Sequence, residues 1–121
     1  MNDVPFEDLA GKARGEPSQT IRQRVMAARQ RQRFRFHNDS TRTNARMTLQ
    51  EIEKYCALNR GCQNMMEEAF RRMDLSARAY QRLRKVARTI ADLDGSDEIQ
   101  EKHLAEAIRY RRLSILGETE A

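Results

Sequence analysis

At 121 residues, with 34% charged and 39% hydrophobic side chains and no tryptophan, the chain suffices for one domain, or for a fragment of a larger one, built on a modest core of Leu, Ile, Met and Ala. Mean hydropathy is −0.88. No apolar run approaches the roughly 18 residues of a membrane span, and MNDVPFEDLAGK has no apolar stretch of signal-peptide type. Together with two cysteines in a Met-rich helical setting, which suit buried thiols in a reducing compartment, this points to a soluble cytoplasmic protein with no membrane partner. The net charge of +5 is concentrated. From Lys12 to Arg46 there are 10 basic residues against 2 acidic ones, a local charge of +8, so the remainder of the chain carries −3. A basic front on an acidic body suits an anionic partner such as nucleic acid, nucleotide or an acidic protein surface.

In chain order, residues 1–17 read as a loosely ordered tail with Pro5, Gly11 and Gly15, in which Val4, Phe6 and Leu9 alternate like a strand lacking its sheet. Pro17, Ser18 and the Thr20/Gln23 pair open a helix over 18–36. Ile21, Val25, Ala28, Gln32 and Phe36 form its thin apolar stripe, with Arg22, Arg29 and Arg33 on one flank and Arg24, Arg31 and Arg35 on the far side. A stripe this thin holds a helix weakly in water. Residues 37–47 read as a flexible loop.

Thr48 with Glu51 is a capping-box pattern that opens a short helix to about Ala57, and Asn59-Arg60-Gly61 breaks it before another helix to about Met73. Asp74 and Leu75 turn the chain into a helix capped by Ser76, with inner face Ala79, Tyr80, Leu83, Val86, Ala87, Ile90 and Ala91 and a glycine stop at Gly95. A last helix over about 100–112 buries Leu104, Ala107, Ile108 and the Arg111 stem, and 114–121 reads as a disordered tail. The sum is an all-α fold: a small bundle over 48–113, preceded by a long basic connector helix and a mobile N-terminal segment.

No catalytic set emerges. The chain has no GxxxxGK[ST] loop and no GxGxxG, and Cys56, Cys62, His37 and His103 lack metal-ligand spacing. This chain alone is read as non-catalytic, with no metal site and no cofactor of its own. Arg78 stands out, two residues inside the helix opened by Ser76. A cation there opposes the helix dipole, unless an anion sits at the helix start, where dipole, backbone N–H groups and guanidinium converge. Arg82, Arg84 and Arg88 read as a solvated face of the same helix.

The segment SARAYQRLRKVARTIADLDGSDEIQEKHLAEAIRYRRL, Ser76 to Leu113, resembles the C-terminal domain of magnesium-chelatase-related AAA+ proteins of the ComM (YifB) type. GEPSQTIRQRV and AARQRQ upstream, NAR at Asn44 to Arg46, and CALN at Cys56 to Asn59 are similar to further family segments, so the resemblance covers nearly the whole chain. It implies a helical lid that closes over ATP and Mg2+ bound to an ATPase core in a ring of subunits, in proteins associated with natural transformation and branched DNA. The sensor-2 arginine of such a lid matches Arg78. Walker motifs, sensor 1 and the arginine finger would lie ahead of Met1, with VPFEDL as the end of the core's last strand. On this reading the first helix frays, because its packing partner is the core, and Thr48 to Arg112 is rigid. The partners implied are the core of the same parent chain, neighbouring subunits and DNA. Two other readings stay open: a basic DNA-binding module using Arg22, Arg24, Arg29, Arg31, Arg33 and Arg35, and a protein-interaction bundle docking to an acidic partner.

Overall fold

A computed structural model describes residues 18–120 apart from 38, 40 and 41, with side chains described to Arg112. The expectations for 1–17 lie outside the described residues. Among the described residues the fold is all-α: α1 (Ser18–Arg35), a 3-10 turn (Asn44–Arg46), α2 (Leu49–Tyr55), α3 (Arg60–Met73), α4 (Ala77–Leu93) and α5 (Glu101–Glu120).

Local chemistry sets most of the boundaries. Thr48 and Glu51 form the reciprocal capping box that starts α2. Asn59 caps α3 through the Cys62 N–H at 2.8 Å, and Ser76 caps α4 through the Ala79 N–H at 3.1 Å. Asp74 closes α3 in the left-handed region at φ 49°, and Gly95 turns the chain after α4 at φ 70°, where a side chain would be strained. The start of α5 uses His103, whose Nδ1 accepts the Gln100 N–H at 2.9 Å in the place a Glu takes in a capping box. The helix then runs to Glu120, through the segment expected as a tail. SILGETEA holds no proline, and its one glycine costs a helix only about 1 kcal/mol.

Helix α4 is the hub. It packs against α5, α1, α2 and the 3-10 turn, while α3 packs against α5. Every inner-face residue expected on α4 is buried except Tyr80, which is half-buried and meets Phe70 edge-to-face. Cys56 and Cys62 are fully buried thiols. Burial pushes Cys56 up to about 11, against the pull of the Arg84 and Arg88 charges.

Two expectations are corrected here. The helix expected to fray is packed within this chain: Ile21, Val25, Ala28 and Gln32 are buried, and α1 packs on α4. The second concerns the loop after α1, which is anchored at Asn44. That residue is 2% exposed and hydrogen-bonded to Gln32, Arg35, Thr89 and Asp92. The stripe holds the first part of α1, while polar partners that a hydrophobic pattern does not show hold its C-terminal end and the loop.

Candidate functional site

The arginines of α1 and α4 fall into two groups: those aimed at solvent and those spent inside the molecule. Arg78 belongs to the first. It is the second residue of α4, two positions after the cap Ser76, and it is exposed. No hydrogen bond or ion pair holds its guanidinium among the described residues. Because the Ser76 hydroxyl already takes the Ala79 N–H, the N–H groups of Ala77 and Arg78 are the ones left at this helix start. Arg82 and Lys85 follow at i+4 and i+7, on the same face of α4. Lys85 donates to the Ala45 carbonyl at 2.9 Å. Burial lowers its pKa, and the Arg82 and Arg78 charges lower it further, so three cations share one strip.

Arg84 and Arg88 are not a solvated face: they are 7% and 3% exposed. Their stems cross apolar surface and their heads reach backbone carbonyls at helix ends, a use that spacing alone does not reveal. Arg84 donates from Nε and one terminal nitrogen to the Cys56 carbonyl at the end of α2, at 3.3 and 3.0 Å. Arg88 donates to the Ser96 and Asp97 carbonyls of the α4–α5 turn at 2.7 and 2.8 Å.

The six arginines expected on a nucleic-acid or partner face of α1 divide as well. Arg35 is withdrawn from that role. It forms a two-pronged pair with Asp92, both bonds at 2.8 Å, and donates to the Asn44 side chain at 2.8 Å. Burial works against its charge, yet the hydrogen bond and charge of Asp92 raise its pKa above the ordinary value. Arg31 turns the same way, to Asp97 and to the Gly95 carbonyl, both at 2.9 Å. Arg24 is half-buried, whereas Arg22, Arg29 and Arg33 are exposed. The outer side of α1 also shows Met26 and Phe34, 62% and 86% exposed. Beside Phe34 lies an open groove of about 610 Å³ lined by Gln30, Arg31, His37, Lys54 and Tyr55 among others.

Asp92 is the residue the sequence did not flag. Its side chain is fully buried between Arg35 and Arg88, and the one clue available was a carboxylate at a position where α4 continues its inner face. Among the described residues, no three His, Cys, Asp or Glu side chains gather as a metal site. No helix there is long and apolar enough to cross a membrane.

The pattern of buried arginines around a helical hub, with one arginine left at the hub's first turn, accompanies a definite kinship. Residues 15–111 match the family described as magnesium chelatase, subunit ChlI C-terminal, and the chain belongs to that family. It is 47% identical over 102 residues to YifB of Escherichia coli, covering 84% of this chain and 19% of that protein. To YifB of Salmonella typhimurium it is 43% identical over 104 residues, 86% of this chain and 20% of that one. To competence protein ComM of Haemophilus influenzae it is 42% identical over 100 residues, 83% and 19%. The chain therefore carries the C-terminal domain of ComM/YifB-like, magnesium-chelatase-related proteins, and it spans about a fifth of the length of these curated relatives.

Proposed function

We propose that this domain is the lid of an AAA+ ATPase and that Arg78 is its sensor-2 arginine, reading the terminal phosphate of ATP held on the core of the parent chain. The observation that carries this is the placement of Arg78: an exposed guanidinium, unpaired among the described residues, at the start of the central helix, in line with Arg82 and Lys85. An anion there would meet the helix dipole, the two remaining N–H groups and a charge-assisted hydrogen bond together. The residues thus fit a phosphate oxygen. The Mg2+ of the nucleotide would be held by the phosphates and by the core, and this chain contributes charge and position. Neighbouring subunits of a ring would complete the site, and the parent would act in the cytoplasm on DNA during recombination or natural transformation, a setting to which the name of its ComM relative lends support.

The test is Arg78→Ala in the parent ATPase. A charge-assisted contact is worth about 1.5–3 kcal/mol, so ATP turnover falls by roughly 10- to 150-fold. The melting temperature of the isolated domain stays put, because the side chain has no partner among the described residues. Unchanged turnover removes Arg78 from the site.

A second reading, nucleic-acid contact through α1, is favoured by one observation. Arg22, Arg29 and Arg33 share an exposed face on a helix that contains no acidic residue. Binding of a DNA oligonucleotide by the isolated domain would then weaken steeply with salt, and Arg22→Gln with Arg33→Gln would flatten that dependence. A salt-independent or absent signal rejects it.

A further inference from the structure

The carboxylate of Asp92 joins parts of the molecule that the chain separates widely. It accepts from Arg35 of α1 twice at 2.8 Å and from Asn44 of the 3-10 turn at 2.9 Å, and it pairs with Arg88 of its own helix at 3.1 Å. The connections continue outward. Asn44 donates its backbone N–H to Gln32 of α1 at 3.1 Å and its side-chain NH2 to Thr89 of α4 at 3.1 Å. Arg88 grips the Ser96 and Asp97 carbonyls, while Arg31 of α1 reaches Gly95 and Asp97 of the same turn. The C-terminal end of α1, the 3-10 turn, α4 and the α4–α5 turn are therefore bound through one buried anion.

Opening this joint would strand charge. The side chains of Arg35 and Arg88 are only 11% and 4% exposed and that of Asp92 is 0% exposed, so any swing of α1 away from α4 breaks the two-pronged Arg35 pair and leaves Asp92 with Arg88 of its own helix alone. Joints that move in proteins are drawn from weakly held segments, and this one is strongly held. At the other end of α1, the burial of Ile21 and Val25 completes the attachment.

We propose that Asp92 is a positioning residue that locks α1 to the bundle, so that the described helices from Ser18 to Arg112 move as one rigid body. The lock itself is independent of the lid reading. Only what drives the movement rests on that reading: a pull on Arg78 at one end of α4 is delivered through Asp92, 14 residues and about 21 Å along the same helix, to α1. In this arrangement α1 is the output arm of the lid.

Spin labels at two exposed sites test it, Gln30→Cys on α1 and Ala105→Cys on α5, with the native Cys56 and Cys62 left buried. Double electron–electron resonance on the 121-residue chain gives one narrow distance population. Arg35→Gln, which spares the Arg88–Asp92 pair within α4, adds a second and longer population. It also speeds amide exchange in α1 while leaving α3 to α5 protected, a local signature that general destabilisation would not produce. Asp92→Asn, if it folds, gives the same release. A broad distribution in the unaltered chain, or a narrow one in Arg35→Gln, overturns the lock. In the parent ATPase the same label pair keeps its distance with and without a non-hydrolysable ATP analogue, and a change there overturns the single-body proposal. Failure of the Arg78→Ala test would leave the resonance result on the isolated chain standing, so the two ideas fail separately.

Discussion

Asp92→Asn should be among the most damaging single substitutions in this domain, and its cost can be worked from the structure. Asparagine keeps the size of the side chain but removes the charge, and it turns an NH2 group toward donors: the Arg35 fork, Arg88 and the Asn44 amide. Two buried guanidiniums lose their only close anion in the network. Removing one partner of a buried ion pair costs about 3–5 kcal/mol, a large part of the 5–15 kcal/mol that holds typical domains folded. At roughly 4–8 °C per kcal/mol for a domain of this size, the melting temperature falls by about 12 °C or more. Asp97→Ala is the internal control. That carboxylate also pairs with an arginine of α1 at 2.9 Å, but it is 93% exposed, so its loss costs about 1 kcal/mol or less. Thermal and urea unfolding followed by circular dichroism measures both variants. If Asp92→Asn lies within about 0.5 kcal/mol of the unaltered protein, the buried network is not what holds α1 in place and the reasoning fails.

Arg84→Met keeps the stem and removes the head, leaving the Cys56 carbonyl at the end of α2 without its donor. Urea unfolding should show a loss of about 1–3 kcal/mol, with little added by the exposed Glu53, whose pair with Arg84 is a surface contact. Cys56 should resist a thiol reagent at pH 8 until the protein unfolds, since the thiol is both enclosed and raised to about 11; rapid labelling in the folded state would contradict the packing around it. The Asp94 carboxyl is held below its ordinary value by its hydrogen bond from His103 and then by Lys102. A carboxylate depressed in the folded state stabilises above its unfolded pKa of about 4 and loses that contribution as pH falls through the lower folded value. Melting temperature should therefore drop below pH 4 in the unaltered chain and less steeply in Asp94→Asn; equal slopes would remove Asp94 from the acid response.

What was legible in the sequence was whatever short-range rules govern. Thr48/Glu51, Ser76 and Gly95 announced their helix ends because a cap needs only its own next few residues. The apolar stripe of α4 announced its buried face because burial of carbon follows the helical repeat. The buried polar joint was not legible. Asp92 meets Arg35 across 57 residues of chain and Asn44 across 48, and nothing in the local pattern distinguishes an aspartate destined for such a partner from one destined for solvent. Arg84 and Arg88 were misassigned for the same reason, since periodicity places a side chain on a face but does not say that a carbonyl waits there.

The two uses of arginine follow from one property. A guanidinium keeps its charge even when desolvated, and its fork can satisfy several acceptors at once. Lysine in such a place would shed its proton more readily and offers no planar fork. A small domain with a modest apolar core can therefore fasten distant helix ends with arginines where more carbon is lacking. The same abundance exposes Arg78, Arg22 and Arg33. Counting arginines cannot separate fasteners from contacts, but partners can: Arg35, Arg84 and Arg88 each have carbonyls or carboxylates inside the chain. Arg78 has none among the described residues, at the one position on α4 where a helix start would welcome an anion from outside.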